Sequence, residues 1–145
     1  MREKVRTYRF IAWYKKLKEE QTQAELNKQK KAAEEISQKI KEVKGQKEEK
    51  YEEMRNKRIF TGEELLSKFT EIFQLQELEK RFNNELENRK KEINALFQRL
   101  MQEFKERQLM ERLTERTEEM WRFEELKRFY KEMDDLVVLK YKRHG

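Results

Sequence analysis

The sequence contains no cysteine and no proline, and its only glycines are Gly45, Gly62 and Gly145. Without cysteine there is no disulfide framework, no thiolate nucleophile and no thiolate metal site. Disordered chains are usually rich in proline and glycine, so this composition argues against disorder. Apolar residues make up only 35% of the chain and charged residues 46%, which also disfavours a compact globular core. The remaining interpretation is a set of long helices that each bury a narrow apolar stripe. The abundance of Glu, Lys, Leu, Arg and Gln favours it, because these residues are good helix formers.

Long apolar runs are also missing. No stretch approaches the ~20 apolar residues of a membrane span, and the basic N-terminus lacks the apolar segment of a signal peptide. A cytoplasmic location is therefore expected. The net charge is +6, and the basic residues concentrate at the two ends of the chain. Nucleic acid and an amphipathic membrane anchor stay open as alternatives, but acidic residues elsewhere would repel phosphates, so we predict no nucleic-acid partner.

The helical pattern of the sequence is interrupted at one place, around Thr61 and Gly62. Thr61 can serve as the N-cap of the second helix, with Glu63 and Glu64 in its first turn. Gly45 has no cap or breaker beside it and is expected to remain inside a helix. We predict an all-α fold, with two long helices in an antiparallel coiled-coil hairpin and the C-terminal helix the longer. The predicted single domain spans residues 1–145, with a helix at about 4–57, a turn at about 58–62 and a helix at about 63–142.

Heptad spacing predicts the seam, by which we mean the positions that face the other helix. In the second helix eight of eleven such positions are apolar, and the set is Leu65, Lys68, Ile72, Leu75, Glu79, Phe82, Leu86, Arg89, Ile93, Leu96 and Leu100. Among these, Leu86, Ile93, Leu96 and Leu100 are expected to be among the most buried residues. Near Phe104 the apolar phase slips to a second register, Phe123, Leu126, Tyr130, Met133 and Val137. The weaker seam of the first helix is Leu17, Gln21, Ala24, Lys28, Ala32, Ile36, Ile40 and Val43.

The unequal helix lengths predict an overhang. If the chain folds at the turn, residue 4 lies opposite about residue 116, and the rest of the second helix has no partner. That part is rich in aromatic residues and methionine between Met120 and Leu139. Exposed apolar surface of this extent marks a binding site. A bend or register shift that covers it, or pairing of two chains there, are the alternatives.

Catalytic chemistry is not indicated. His144 is the only histidine and lies one residue from the end, while Asp134 and Asp135 are neighbours on a helix and diverge. The sequence has no glycine-rich phosphate loop and no metal-ligand spacing. We therefore predict no enzyme activity, no cofactor and no metal.

Several segments of the chain form a recognisable pattern: Tyr8-Arg9-Phe10, Leu109-Met110-Glu111-Arg112-Leu113, Arg116, Trp121 and Lys131-Glu132-Met133-Asp134-Asp135-Leu136. In these segments the chain resembles the FliJ family, the small coiled-coil proteins of the flagellar type III export apparatus. Asp135 departs from the family, which usually has glutamate there.

The resemblance implies a central stalk that binds and stimulates the hexameric export ATPase. It also implies binding to the cytoplasmic domain of the export-gate membrane protein, escort of export chaperones, and a place beside the inner membrane through these partners. The ATPase-binding end is predicted at the termini, with Tyr8, Phe10, Trp13, Trp121, Phe129, Tyr130, Met133 and Val137. By position in the family, the gate-binding residues are Tyr51, Phe69, Phe73 and Leu78. A generic coiled-coil scaffold or tether, and an injectisome stalk protein, are the alternatives.

Overall fold

A computed structural model describes residues 2–57 and 59–144. Over this part of the chain there are two α-helices, α1 at Arg2–Asn56 and α2 at Gly62–His144, and no strand. The helices pack against each other and α2 is the longer, which confirms the predicted all-α fold. Arg58, in the predicted turn, lies outside the described residues.

Side chains around the turn fix the start of α2. The Thr61 hydroxyl oxygen accepts a hydrogen bond from the Glu64 amide at 3.1 Å, as the predicted N-cap requires. The Lys57 ammonium donates to the Glu64 carboxylate at 2.7 Å and lowers the pKa of that carboxyl. Gly45 lies inside α1, as expected.

The chain forms two compact units. The terminal unit consists of Met1–Gln21 and Leu100–Gly145, and the turn unit consists of Thr22–Arg99. Each unit contains a segment of α1 and a segment of α2, so each is described by itself below.

The turn unit holds most of the apolar core, with Leu26, Ile36, Ile40, Val43 and Ile72 buried. In α2 the predicted seam from Lys68 to Leu96 is confirmed, because every one of its positions is buried or half-buried. Leu65 is the exception, at 37% exposure. Leu86, Ile93 and Leu96 are half-buried, so the expectation that they rank among the most buried residues was wrong. A single facing helix covers only part of a large side chain, so the flanks of these three side chains remain in contact with water.

The α1 seam differs from its prediction in the N-terminal half. Ile36, Ile40 and Val43 are buried as predicted, but Leu17, Gln21, Ala24 and Lys28 are exposed. The observed seam positions of α1 in the turn unit are Thr22, Leu26, Gln29, Ala33, Ile36, Ile40, Val43, Lys47, Lys50 and Met54. Several are polar, and these find partners on α2. Lys47 donates to Glu79 at 2.7 Å, and Arg89 donates to the Gln29 side-chain oxygen at 2.7 Å. The earlier residue on α1, Gln29, pairs with the later residue on α2, Arg89, and the later residue on α1, Lys47, pairs with the earlier Glu79. The two segments therefore run antiparallel.

The terminal unit continues the same heptad count, so the predicted phase slip near Phe104 is wrong. The seam positions of α2 here are Leu100, Glu103, Arg107, Met110, Thr114, Thr117 and Trp121, all buried or half-buried. Those of α1 are Val5, Tyr8, Ala12, Lys15 and Glu19. Leu100 is half-buried, not among the most buried. The second register of Phe123, Leu126, Tyr130, Met133 and Val137 is exposed throughout. Half of the seam positions in the terminal unit are charged residues or threonine. A search for regularly spaced apolar residues therefore could not find the observed register.

Candidate protein-binding surfaces

The overhang, residues 122–143 of α2, is exposed at every position. It begins later than predicted, because α1 reaches back to Arg2 and packs with α2 as far as Trp121. Thr117 is buried, Arg9 pairs with Glu118, and Trp121 is half-buried. The large apolar side chains exposed on the overhang are Phe123, Leu126, Phe129, Tyr130, Met133, Leu136, Val137, Val138, Leu139 and Tyr141.

These apolar side chains are not confined to one face. The four consecutive residues from Leu136 to Leu139 are each 51–63% exposed. Consecutive helical positions point about 100° apart, so together these four cover most of the circumference. A helix that is apolar all round is normally buried on all sides. This part of α2 therefore suits a partner that encloses it better than one that lies along a single face.

The eight residues predicted for the ATPase-binding end all lie in the terminal unit, but in two settings. Tyr8 and Trp121 are half-buried seam residues. The other six are exposed, with Phe10 and Trp13 in ring contact at 5.8 Å between centroids and Phe129 and Tyr130 at 5.9 Å. The list omitted six other apolar side chains that are exposed on the overhang: Phe123, Leu126, Leu136, Val138, Leu139 and Tyr141.

A notch between the two helices of the terminal unit was not foreseen. It is a cavity of about 310 Å³ lined by Arg2, Val5, Arg6, Arg9, Glu118, Trp121 and Arg122. The spacing of Arg2, Arg6 and Arg9 along α1 places them on one face, which the sequence could have indicated. Arg122 comes from a segment more than a hundred residues away, so its contribution depends on the observed register.

The four predicted gate-binding residues differ in their exposure. Phe69 and Phe73 are exposed and share a face of α2 with the exposed Leu66, while Tyr51 is exposed on α1. Leu78 is half-buried and lines a different feature, a groove of about 520 Å³ with Gln46, Glu49, Lys50, Glu53, Glu71, Gln74 and Leu75. Beside that groove, Lys68 donates to Glu53 at 2.7 Å and holds the pKa of that carboxyl below its ordinary value.

Within residues 2–57 and 59–144, no group of three or more His, Asp or Glu side chains could hold a metal ion. Neither described helix is both long and apolar enough to cross a membrane. Comparison with protein-family models, with curated proteins and with solved structures finds no match to this chain.

Proposed function

We propose that the protein is a non-catalytic stalk of the flagellar type III export apparatus, located in the cytoplasm, whose overhang enters the ring of the export ATPase. The observation that carries the proposal is the exposed apolar circumference of α2 between Leu136 and Leu139. A ring lumen is a partner that surrounds a helix, so it can cover side chains that point in all directions. The resemblance to the FliJ family supports the identity of that ring.

The energetics of the overhang are adequate for such an interaction. Burial of apolar surface contributes about 25 cal/mol per Å², so enclosing several of these side chains contributes several kcal/mol. Ordering and loss of rigid-body freedom offset part of this gain. Lys140, Lys142 and Arg143 follow the last acidic residue, Asp135, and give the end of the overhang a positive charge. That charge would steer the overhang towards an acidic collar, with a salt-sensitive association rate.

A second partner is proposed for the turn unit. Leu66, Phe69 and Phe73 expose aromatic and aliphatic surface on one face of α2, and aromatic residues are enriched in interface cores. We assign this face to the cytoplasmic domain of the export-gate protein, which places the chain at the inner membrane through its partner. Escort of export chaperones belongs to the same proposal and rests on the resemblance alone.

The decisive test uses the purified export ATPase with the full chain and with a chain truncated after Arg122. Truncation there keeps every packed residue of the terminal unit and removes most of the overhang. We expect the full chain to promote ring assembly and ATP turnover and the truncated chain to do neither. A Phe69→Ala/Phe73→Ala variant is the matched control, because it removes exposed aromatic surface elsewhere and should stimulate normally.

Three outcomes would contradict the proposal or part of it. Full stimulation by the truncated chain would exclude the overhang as the ATPase-binding element. Absence of stimulation by the full chain, with binding to other coiled-coil partners intact, would favour a scaffold or tether. Equal stimulation of an injectisome ATPase would move the assignment to the related secretion system.

A further inference from the structure

The arginine notch of the terminal unit has an unbalanced charge. Four guanidinium groups, from Arg2, Arg6, Arg9 and Arg122, line it with a single carboxylate, that of Glu118. Glu118 is already paired with Arg9. Among the described residues, Arg2, Arg6 and Arg122 have no ion pair or hydrogen-bonded side-chain partner. Three positive groups that converge on one cavity repel each other, and an anion placed between them would relieve that repulsion.

The rest of the notch is apolar. Val5 is buried and Trp121 is half-buried, and both line the cavity between the arginines. A ligand with charged groups alone would leave the Val5 and Trp121 side chains in contact with water or with polar atoms of the ligand. The lining therefore favours an occupant with an apolar group next to its anionic groups.

Carboxylates fit this setting better than a nucleic-acid backbone. Proteins that follow single strands use a continuous positive groove with several stacking aromatics. Here the sequence beside the notch is acidic as well as basic, with Glu3, Glu119, Glu124 and Glu125 close along the two helices. A phosphate backbone leaving the notch would meet these carboxylates, whereas a short peptide need not extend beyond the cavity. Arginine clusters also recognise acidic motifs through bidentate hydrogen bonds.

We infer that the notch binds an acidic peptide segment of a partner protein, in which carboxylates flank an aliphatic side chain. The carboxylates pair with Arg2, Arg6 and Arg122, and the aliphatic side chain contacts Val5 and Trp121. This site is separate from the exposed apolar side chains on which the proposed ATPase interaction depends, and it can be tested without any ATPase.

The chain supplies its own reporter. Its only tryptophans are Trp13 and Trp121, and Trp13 does not line the notch, so a Trp13→Phe background leaves Trp121 as the single tryptophan, which can be excited selectively over tyrosine. In that background, a blocked Asp-Asp-Leu-Asp-Asp peptide should change the Trp121 emission on titration. The matched peptide with serine in place of leucine has the same charge and should bind about tenfold more weakly, because it lacks the aliphatic contact.

Two triple variants separate the notch from general charge attraction. Arg2→Gln/Arg6→Gln/Arg122→Gln should weaken peptide binding by about tenfold or more, because each substitution removes a charge-assisted hydrogen bond. Lys140→Gln/Lys142→Gln/Arg143→Gln removes the same number of charges from the same unit and should change binding by less than about twofold. Circular dichroism checks that both variants keep their helicity.

Three results would overturn the inference. Equal weakening by the two triple variants would reduce it to non-specific attraction. Equal affinity for the leucine and serine peptides would exclude the apolar contact. Tripolyphosphate or single-stranded DNA that binds more tightly than the leucine peptide, and displaces it, would assign the notch to phosphates instead. None of these results bears on whether the overhang stimulates an ATPase.

Discussion

Arg107 and Glu19 join the two helices of the terminal unit from seam positions, with 2.5 Å between Arg107 Nε and Glu19 Oε2. Arg107 also donates to Glu111 on its own helix at 2.8 Å. Hydrogen bonds from Arg107 to Glu19 first and to Glu111 second raise the pKa of Arg107. The side chains of Arg107 and Glu19 are only 18% and 19% exposed, so the Glu19 charge depends on Arg107 for compensation, while Arg107 has Glu111 as a second partner.

A double-mutant cycle should measure this dependence. We expect Glu19→Ala and Arg107→Ala, alone and combined, to give a coupling energy of about 1 kcal/mol or more, because partly buried partners in one network couple strongly. Urea unfolding followed by circular dichroism measures it. The matched control is Glu125 with Arg128, which are 3.7 Å apart and 52% and 72% exposed. Coupling near zero is expected there, since exposed pairs contribute little. Equal coupling in the two cycles would contradict a special role for the seam pair.

Acid should destabilise the terminal unit through Glu106. Lys15 donates to Glu106 at 3.0 Å, and that hydrogen bond, with a second from Gln102, lowers the pKa of the Glu106 carboxyl. A carboxyl whose pKa is lower in the folded state stabilises the fold above its unfolded pKa, and this contribution is lost as the pH falls through the folded value. The melting temperature should therefore decrease as the pH is lowered below about 4.5. Glu106→Gln should flatten part of this fall, whereas Glu132→Gln should leave the profile unchanged. Identical profiles for the two variants would contradict the assignment.

Burial predicts opposite outcomes for two leucines in the turn unit. Leu26 is 2% exposed and Leu66 is 69% exposed. Leu26→Ala should lower the free energy of unfolding by about 2–4 kcal/mol, because it removes buried methyl groups and leaves a cavity. Leu66→Ala should change it by less than about 0.5 kcal/mol. Denaturant unfolding of the two variants gives the comparison, and similar losses in both would show that the α1 seam is placed wrongly.

Apolar side chains of the overhang should matter for binding and not for stability. Phe129→Ala/Val137→Ala removes two exposed side chains, so the melting temperature should stay within the range of ordinary surface substitutions. Affinity for the export ATPase, measured by sedimentation or calorimetry, should fall by about tenfold or more. A lower melting temperature with unchanged affinity would mean that these side chains are core residues.

The turn unit offers a comparison between Phe73 and Leu78. Phe73→Ala should weaken binding to the cytoplasmic domain of the export gate and leave helicity intact, because its ring is exposed. Leu78→Ala should affect stability more than gate binding, because Leu78 is half-buried in the groove with Lys50 and Glu71. Equal loss of gate binding in Phe73→Ala and Leu78→Ala would support the four-residue site that the family resemblance implies.

The sequence predicted the seam of α2 where most of its positions are apolar. From Ile72 to Leu96 most heptad positions carry large aliphatic or aromatic side chains, and the structure has them facing α1. The predicted N-cap Thr61 likewise marked the start of α2, because capping is a local property of a few consecutive residues. The N-cap and this apolar stretch of α2 could therefore be predicted from the sequence alone, whereas the buried Leu26 of α1 was missed.

The polar part of the seam could not be predicted in this way. Lys15, Glu19 and Arg107 occupy seam positions because oppositely charged groups meet across the helices, and that depends on residues about ninety positions apart. An apolar count instead followed Leu17 on α1 and Phe123 on α2, both of which are exposed. The notch was missed for the same reason, since Arg122 joins the arginines of α1 only in the observed register.

The cross-helix pair of Glu19 and Arg107 also restricts how the length of this protein can change during evolution. An insertion in one helix between this pair and the turn would carry one charge past the other, so Glu19 would lose its partner and Arg107 would keep only Glu111. Length changes are therefore expected in relatives as matched insertions or deletions in both helices, in whole heptads. Residues 123–143 are free of this constraint, since no described part of α1 lies opposite them, and natural variation in length should accumulate there.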